Sequence, residues 1–196
     1  MAVWKIEEPE DFFLAHVPLQ RNITHPHKRL QHLAGRYLLV YLFPGFPHEQ
    51  IEIADTRKPF LPDETYHFSI SHCGDYAAAI VSTTRRVGID VELLTPKIEK
   101  VMYKFLHADE LAFVEKQAGD RLPLLTLLWS AKESLFKWWG RGEVDFREVM
   151  RLQPFHMNEA GLISGRFTKP GIVDAHMTLD YRLTNSLSLV WLHTAP

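Results

Sequence analysis

The stretch Val87-Gly88-Ile89-Asp90-Val91-Glu92-Leu93 alternates strictly in character. Successive side chains of an extended chain point to opposite sides. Val87, Ile89, Val91 and Leu93 therefore share one face, and Gly88, Asp90 and Glu92 the other. This pattern predicts a β-strand, closed by Thr95-Pro96. Working outward, Phe68 to Ser82 predicts a strand, a turn at Cys73-Gly74-Asp75 and a second strand. Met1 to Ile6 reads as a short strand. Leu30, Leu33, Ala34, Tyr37, Leu38 and Tyr41 recur at helical spacing and predict a helix over Lys28 to Phe43, stopped by Pro44 and Gly45. Two further helices are expected over Ile98 to Gln117 and Leu124 to Trp139, the second closed by Gly140 and Gly142. Beyond Val149, turn signals separate strands, clearest at His176 to Leu183 and Leu187 to His193. The order helix, strands, helix, strands predicts an α+β fold with two similar halves, residues 1–95 and 96–196.

A chain of 196 residues can bury a real core. Hydrophobic residues make up 46% and charged residues 23%, an ordinary globular balance. The formal net charge of −2 lacks the basic excess of a nucleic-acid binder. Cys73 is the only cysteine, which excludes an intrachain disulfide and a thiolate zinc cluster. The charged N-terminus has no apolar signal core, and no stretch is long and apolar enough to span a bilayer. A cytoplasmic protein is expected.

Asp90 and Glu92 project from the same strand face. Two crowded carboxylates repel unless a cation or proton lies between them. Magnesium suits such a pair, because it takes one or two carboxylates plus water and phosphate oxygens. Taken alone, the pair reads rather as the solvated face of an edge strand, since D-x-E triplets are common. The second segment is Trp129-Ser-Ala-Lys132-Glu133-Ser-Leu-Phe-Lys137, where Trp129, Glu133 and Lys137 are four apart on one helical face. Glu133 is a candidate metal ligand or base, and Lys132 and Lys137 are candidate phosphate-binding cations. The alternative is a surface ion pair between Glu133 and Lys137, worth a few tenths of a kcal/mol. The apolar flanks, from Leu127 to Trp139, favour a site, since charges in such a run are placed at a cost.

Ser71 and His72, at a strand end before Gly74, can donate to a phosphate or simply form a hydroxyl-rich turn. Lys58 precedes Pro59 in a loop. The segment with His25, His27, Lys28, Arg29, His32 and Arg36 is locally basic, as a phosphate contact or a solvated helix start.

Together these segments resemble the 4′-phosphopantetheinyl transferases, in their Sfp-type branch. The family pattern is a G-[IV]-D-x-E strand followed by a W-[ST]-x-K-E-[SA]-x-x-K helix; here they read GIDVE and WSAKESLFK. Arg57-Lys58-Pro59 is similar to the family's G-K-P turn, and FSISHCGDYAAAIVS to its strand pair. The resemblance covers roughly residues 28–140. It implies two pseudo-symmetric α+β halves with the active site in the cleft between them. It implies transfer of the phosphopantetheine arm of coenzyme A to a serine of an apo acyl or peptidyl carrier protein, releasing adenosine 3′,5′-bisphosphate. Asp90, Glu92 and Glu133 would hold magnesium. Lys132 and Lys137 would neutralise the diphosphate, with Asp90, Glu133 and Lys137 acting in the chemistry. Lys58, Ser71, His72, Arg29 and Arg36 would hold the phosphates of coenzyme A. Arg57 stands where the family has glycine, either adding a phosphate contact or simply tolerated, and Cys73 stands where serine is common, so that oxidation at Cys73 would be expected to inhibit. The chain is short for the branch, which implies trimmed carrier-contacting loops. A monomer, with no nucleic acid or membrane partner, is expected. The competing possibilities are another magnesium-dependent phosphate-ester enzyme, such as a nucleotide hydrolase, and a non-catalytic binder on the same fold.

Overall fold

The computed structural model describes residues 1–117 and 119–195 and shows an α+β chain. It opens with β1 (Ala2–Lys5), α1 (Glu10–Leu14) and α2 (Pro26–Leu42). A short pair, β2 (Glu52–Ile53) and β3 (Pro59–Phe60), leads to β4 (His67–Cys73), β5 (Tyr76–Ser82) and β6 (Arg86–Leu93). The remainder is α3 (Ala108–Lys116), α4 (Leu122–Trp139), α5 (Phe146–Val149), β7 (Met150–Leu152), β8 (Ala160–Lys169), β9 (Val173–Leu183) and β10 (Leu187–Thr194).

The strands form two principal sheets, ordered β1-β5-β4 and β6-β10-β9-β8-β7, with antiparallel pairing throughout. Each sheet packs against one long helix. Leu33, Ala34, Leu38 and Leu39 of α2 share a core with Phe68, Ala77 and Ala79 of the first sheet. Leu127, Leu128, Ala131 and Leu135 of α4 do the same with Ile163, Leu179, Val190 and Leu192 of the second. The expected halves share β6 across their boundary: it precedes residue 95, yet it pairs with β10 along its whole length.

The sheets meet where β4 faces β6, and side chains rather than a backbone ladder join them. Ile89 N donates to Ser69 Oγ (3.2 Å), Ser71 Oγ donates to Asp90 Oδ1 (2.8 Å), and Leu93 N donates to Cys73 Sγ (3.4 Å). Three alternate residues of β4 thus stitch the two layers. On the other side, α4 lies very close to β6. A Cβ built on Gly88 would stand 2.1 Å from the Ser134 carbonyl oxygen, so only glycine permits this approach. Gly140, with φ of 64°, then ends α4 in the left-handed conformation.

One expected element breaks up. Residues 98–117 are not one helix: 3-10 turns at Pro96–Lys100 and Met102–Lys104 precede α3. Helix α3 starts afresh at a capping box, where Glu110 accepts from His107 N (2.8 Å) and the His107 ring accepts from Asp109 N (3.2 Å). The carbonyl of Phe105, which a continuous helix would use internally, accepts instead from Lys132 Nζ (2.7 Å).

Candidate active site

Strands β4 and β6 and helix α4 converge on Asp90. Its side chain is almost fully buried. Oδ1 accepts from Ser71 Oγ (2.8 Å) and from Lys137 Nζ (2.6 Å), and Lys137 Nζ also donates to Ser71 Oγ (2.8 Å). The second oxygen, Oδ2, is buried with no hydrogen-bond partner. An orphaned carboxylate oxygen is costly unless something else binds it.

Glu92 lies farther along the same strand and accepts from the Trp129 indole N–H (3.2 Å). Burial, and then the charge of Asp90, raise its carboxyl above the usual range. Glu133 faces both acids from α4. Burial and the neighbouring Asp90 and Glu92 charges push it up to about 7, against the opposing effect of Lys137. Three carboxylates therefore feel one another's charge in one place, as the alternation of β6 and the four-residue spacing on α4 require. Among the described residues no three His, Cys, Asp or Glu side chains stand close enough together to hold a metal ion as they lie, so a cation here would draw Glu92 and Glu133 in toward Asp90 Oδ2.

Lys137 retains an unused N–H, because an ammonium has three hydrogens and two are engaged. Its side chain is 24% exposed and borders a cavity of about 180 Å³ lined also by Thr56, Arg57, Lys58, Ser69 and Glu133. Lys58 lies across Gly140, where an added Cβ would meet its Cδ at 2.6 Å. Burial, and then Arg86 and Arg141, bring its ammonium down to about 8.

An adjoining cavity of about 200 Å³ is strongly cationic, with Arg21, His32, Arg36, Arg57 and His72 in its wall. Arg36 is 5% exposed, its Nη1 has no acceptor, and burial followed by Arg21 brings it down to about 10. His32 Nε2 is likewise buried and unpaired, and burial with Arg36 and Arg21 holds its ring at about 4. A buried unpaired guanidinium, with Arg21 and Arg57 at the same cavity, suits a multiply charged anion.

The structure brings together Asp90, Glu92, Glu133, Lys137, Ser71, Lys58, His72 and Arg36, and leaves two expected residues outside. Lys132 is fully buried on the far side of α4 and is engaged by Glu110 and two carbonyls, so it cannot reach a phosphate. Neighbours on a helix point 100° apart, which sends Lys132 away from the face that carries Glu133. Arg29 pairs with Glu10 of α1 and does not line the cationic cavity. It sits seven residues before Arg36, roughly 10 Å along the helix axis. Ser71 is present but its single O–H is committed to Asp90, so it orients the acid rather than donating to a phosphate. Arg21 carries no binding expectation from its sequence position, a loop without periodicity; Arg57, which stands in place of the family's glycine, lines both cavities, as a phosphate contact there would require. Cys73 is a neutral thiol, pushed up to about 11 by burial and the Glu92 carboxylate, which makes it a poor target for oxidation.

A model of the 4′-phosphopantetheinyl transferase superfamily matches residues 86–181. Over 117 residues the chain is 38% identical to enterobactin synthase component D of Escherichia coli (strain K12), covering 56% of this chain and 54% of that protein. It is 32% identical over 111 residues to the protein of that name from Salmonella austin, with 56% and 47% covered. It is 31% identical over 113 residues to 4′-phosphopantetheinyl transferase gsp of Aneurinibacillus migulanus, with 56% and 46% covered. The chain thus spans about half the length of these relatives. The matched segment runs from β6 into β9 and carries the acidic strand and the whole of α4, and it is through this segment that the chain is similar to the 4′-phosphopantetheinyl transferase superfamily.

Proposed function

We propose that this chain transfers the 4′-phosphopantetheine arm of coenzyme A to a serine hydroxyl of an apo acyl or peptidyl carrier protein. The observation that carries this is the junction of an acidic centre, Asp90, Glu92 and Glu133, with an unpaired cationic cavity around Arg36. Coenzyme A has a diphosphate and a 3′-phosphate, and the site offers a place for each. The cationic cavity would take the 3′-phosphate, and the diphosphate would lie beside Lys58 and Lys137.

The orphaned Asp90 Oδ2 and the raised carboxyls of Glu92 and Glu133 fit a divalent cation. Magnesium is the expected ion; Asp90, Glu92 and Glu133 would hold it, and it favours the oxygen ligands that these acids, water and phosphates supply. Bound there, it would supply charge stabilisation for the diphosphate.

In the transfer, the serine oxygen bonds to the phosphorus that carries the pantetheine arm, and the bridging P–O bond of the diphosphate breaks. Adenosine 3′,5′-bisphosphate leaves with that electron pair. Glu133, directly or through a water, accepts the serine proton. The free N–H of Lys137 meets the charge that develops on the leaving oxygen. Ser71 holds Asp90 in place. No helix is long and apolar enough to cross a membrane among the described residues. A cytoplasmic, monomeric enzyme completes the proposal.

The test is incubation with coenzyme A, magnesium and a set of apo carriers, read by intact mass. One phosphopantetheine added per carrier supports the proposal. Nucleotide cleavage without carrier modification would replace it with a hydrolase.

A further inference from the structure

Lys132 has no place in the transfer just described, yet it is the most completely engaged cation in the protein's interior. Its three ammonium hydrogens find three acceptors: Glu110 Oε2 (2.6 Å), Phe105 O (2.7 Å) and Phe146 O (2.9 Å). Glu110 is equally satisfied. Its Oε2 also accepts from His107 N (2.8 Å), and its Oε1 accepts from Leu152 N (2.8 Å). The side chains of Lys132 and Glu110 are 0% and 2% exposed.

Such a pair is a weak source of net stability, since apolar residues of similar volume often do as well. What apolar residues cannot do is grip two backbone carbonyls. The carbonyls held here belong to Phe105 and Phe146, whose rings enclose Trp129. The Phe105 ring meets the indole edge-on with centroids 5.0 Å apart, and the Phe146 ring lies nearly parallel at 5.8 Å. Trp129 in turn donates its indole N–H to Glu92 Oε1 (3.2 Å). A continuous relay therefore runs from the buried ammonium, through two backbones and two rings, to one indole and one acid.

We propose that Lys132, held by Glu110, is a positioning residue that aims Trp129 at Glu92. Its importance for transfer rests on the placement of Glu92 in the site above. The relay itself does not. Lys132 binds no phosphate; it sets the orientation of an acid that lies on the opposite flank of α4.

The indole N–H signals in a ¹⁵N–¹H spectrum of the free protein test this directly. Trp129→Phe identifies the Trp129 signal, and Glu92→Gln shows how far it moves when its acceptor changes. The double variant Lys132→Met with Glu110→Gln removes both charges and leaves an acceptor for Leu152 N. We expect the Trp129 signal to move in this variant, and Glu92→Gln added to it to cause no further shift. Trp4 and Trp138, bonded to Glu8 and Thr194, should keep their positions. If the Trp129 signal stays at its wild-type position, or moves only in step with Trp4 and Trp138, the pair is a fold staple and the proposal fails. Should the double variant not fold, Phe146→Leu cuts the same relay at a half-buried ring, and the same selective shift is expected; its absence overturns the proposal equally. These outcomes are read whether or not the chain transfers phosphopantetheine. Where it does, the double variant should lower kcat by about tenfold while KM for coenzyme A changes less than about twofold. An unchanged kcat would deny the relay any part in the reaction.

Discussion

Lys137 Nζ lies 2.6 Å from Asp90 Oδ1, and this contact ties the end of α4 to the middle of β6. The same carboxylate leaves Oδ2 buried and unbonded. One oxygen is thus fixed by the fold, and the other is free for a ligand. Asp90→Asn preserves the shape and removes the charge. Transfer should fall by at least about 100-fold, as for loss of a principal electrostatic group. Circular dichroism and the melting temperature should stay near wild type, because Lys137 can turn to solvent. Comparable kcat in the variant would remove Asp90 from the centre.

The two arginines of α2 should separate experimentally. Arg36→Ala should weaken binding of adenosine 3′,5′-bisphosphate by about tenfold or more, since a desolvated charge pairing with phosphate is worth at least about 1.4 kcal/mol. Arg29→Ala should leave that affinity within about twofold, because Arg29 is occupied with Glu10. Titration calorimetry with the nucleotide alone reads both. Equal losses in the two variants would contradict the cavity assignment.

Gly88 is where the motif serves packing rather than chemistry. A Cβ there would stand 2.1 Å from Ser134 O, so Gly88→Ala must push α4 from β6. A cost of about 1–3 kcal/mol in urea unfolding is expected, together with loss of transfer, as Glu133 and Lys137 move with the helix. A variant with wild-type stability would show that α4 and β6 are farther apart than described.

One buried and one half-buried imidazole, His48 and His32, make stability fall on the acid side. His48 is 5% exposed, and burial with Arg36 brings it down to about 4; His32 shares that value. Above pH 6.5, folded and unfolded chains both carry these rings neutral. As pH drops from 6.5 toward 4, the unfolded chain takes up protons that the folded one resists, so stability declines through that window. For His48 alone the loss by pH 5 should be about 2 kcal/mol. Urea midpoints at pH 7 and pH 5 measure it, and His48→Gln should make the decline shallower. An unchanged slope would place the His48 ring in contact with solvent.

How much of this was legible in the sequence depended on how local the cause was. Alternation in residues 87–93 gave β6 and put Asp90 and Glu92 on one face. Four-residue spacing put Glu133 and Lys137 opposite them. Both are short-range geometry. The role of Lys132 was not legible, because adjacent helical residues diverge by 100° and its partner, Glu110, lies on another helix. For the same reason the break in 98–117 was missed: an apolar period looks continuous, while the carbonyl of Phe105 is claimed by a distant ammonium. The cationic cavity draws Arg21, Arg36, Arg57 and His72 from separate segments, so only the fold assembles it. From its place in β4, Ser71 reads as a phosphate donor or as part of a hydroxyl-rich turn; its commitment to Asp90 follows from the meeting of two sheets, which no pattern within β4 announces.

The most direct measurement combines coenzyme A, magnesium and an apo carrier protein with this chain and follows the carrier by intact mass. A gain of one phosphopantetheine on the carrier serine, with release of adenosine 3′,5′-bisphosphate and no gain with the Asp90→Asn variant, is the expected result. An unmodified carrier across fatty-acid, polyketide, peptide-synthetase and lysine-pathway types, alongside hydrolysis of the nucleotide, would contradict it.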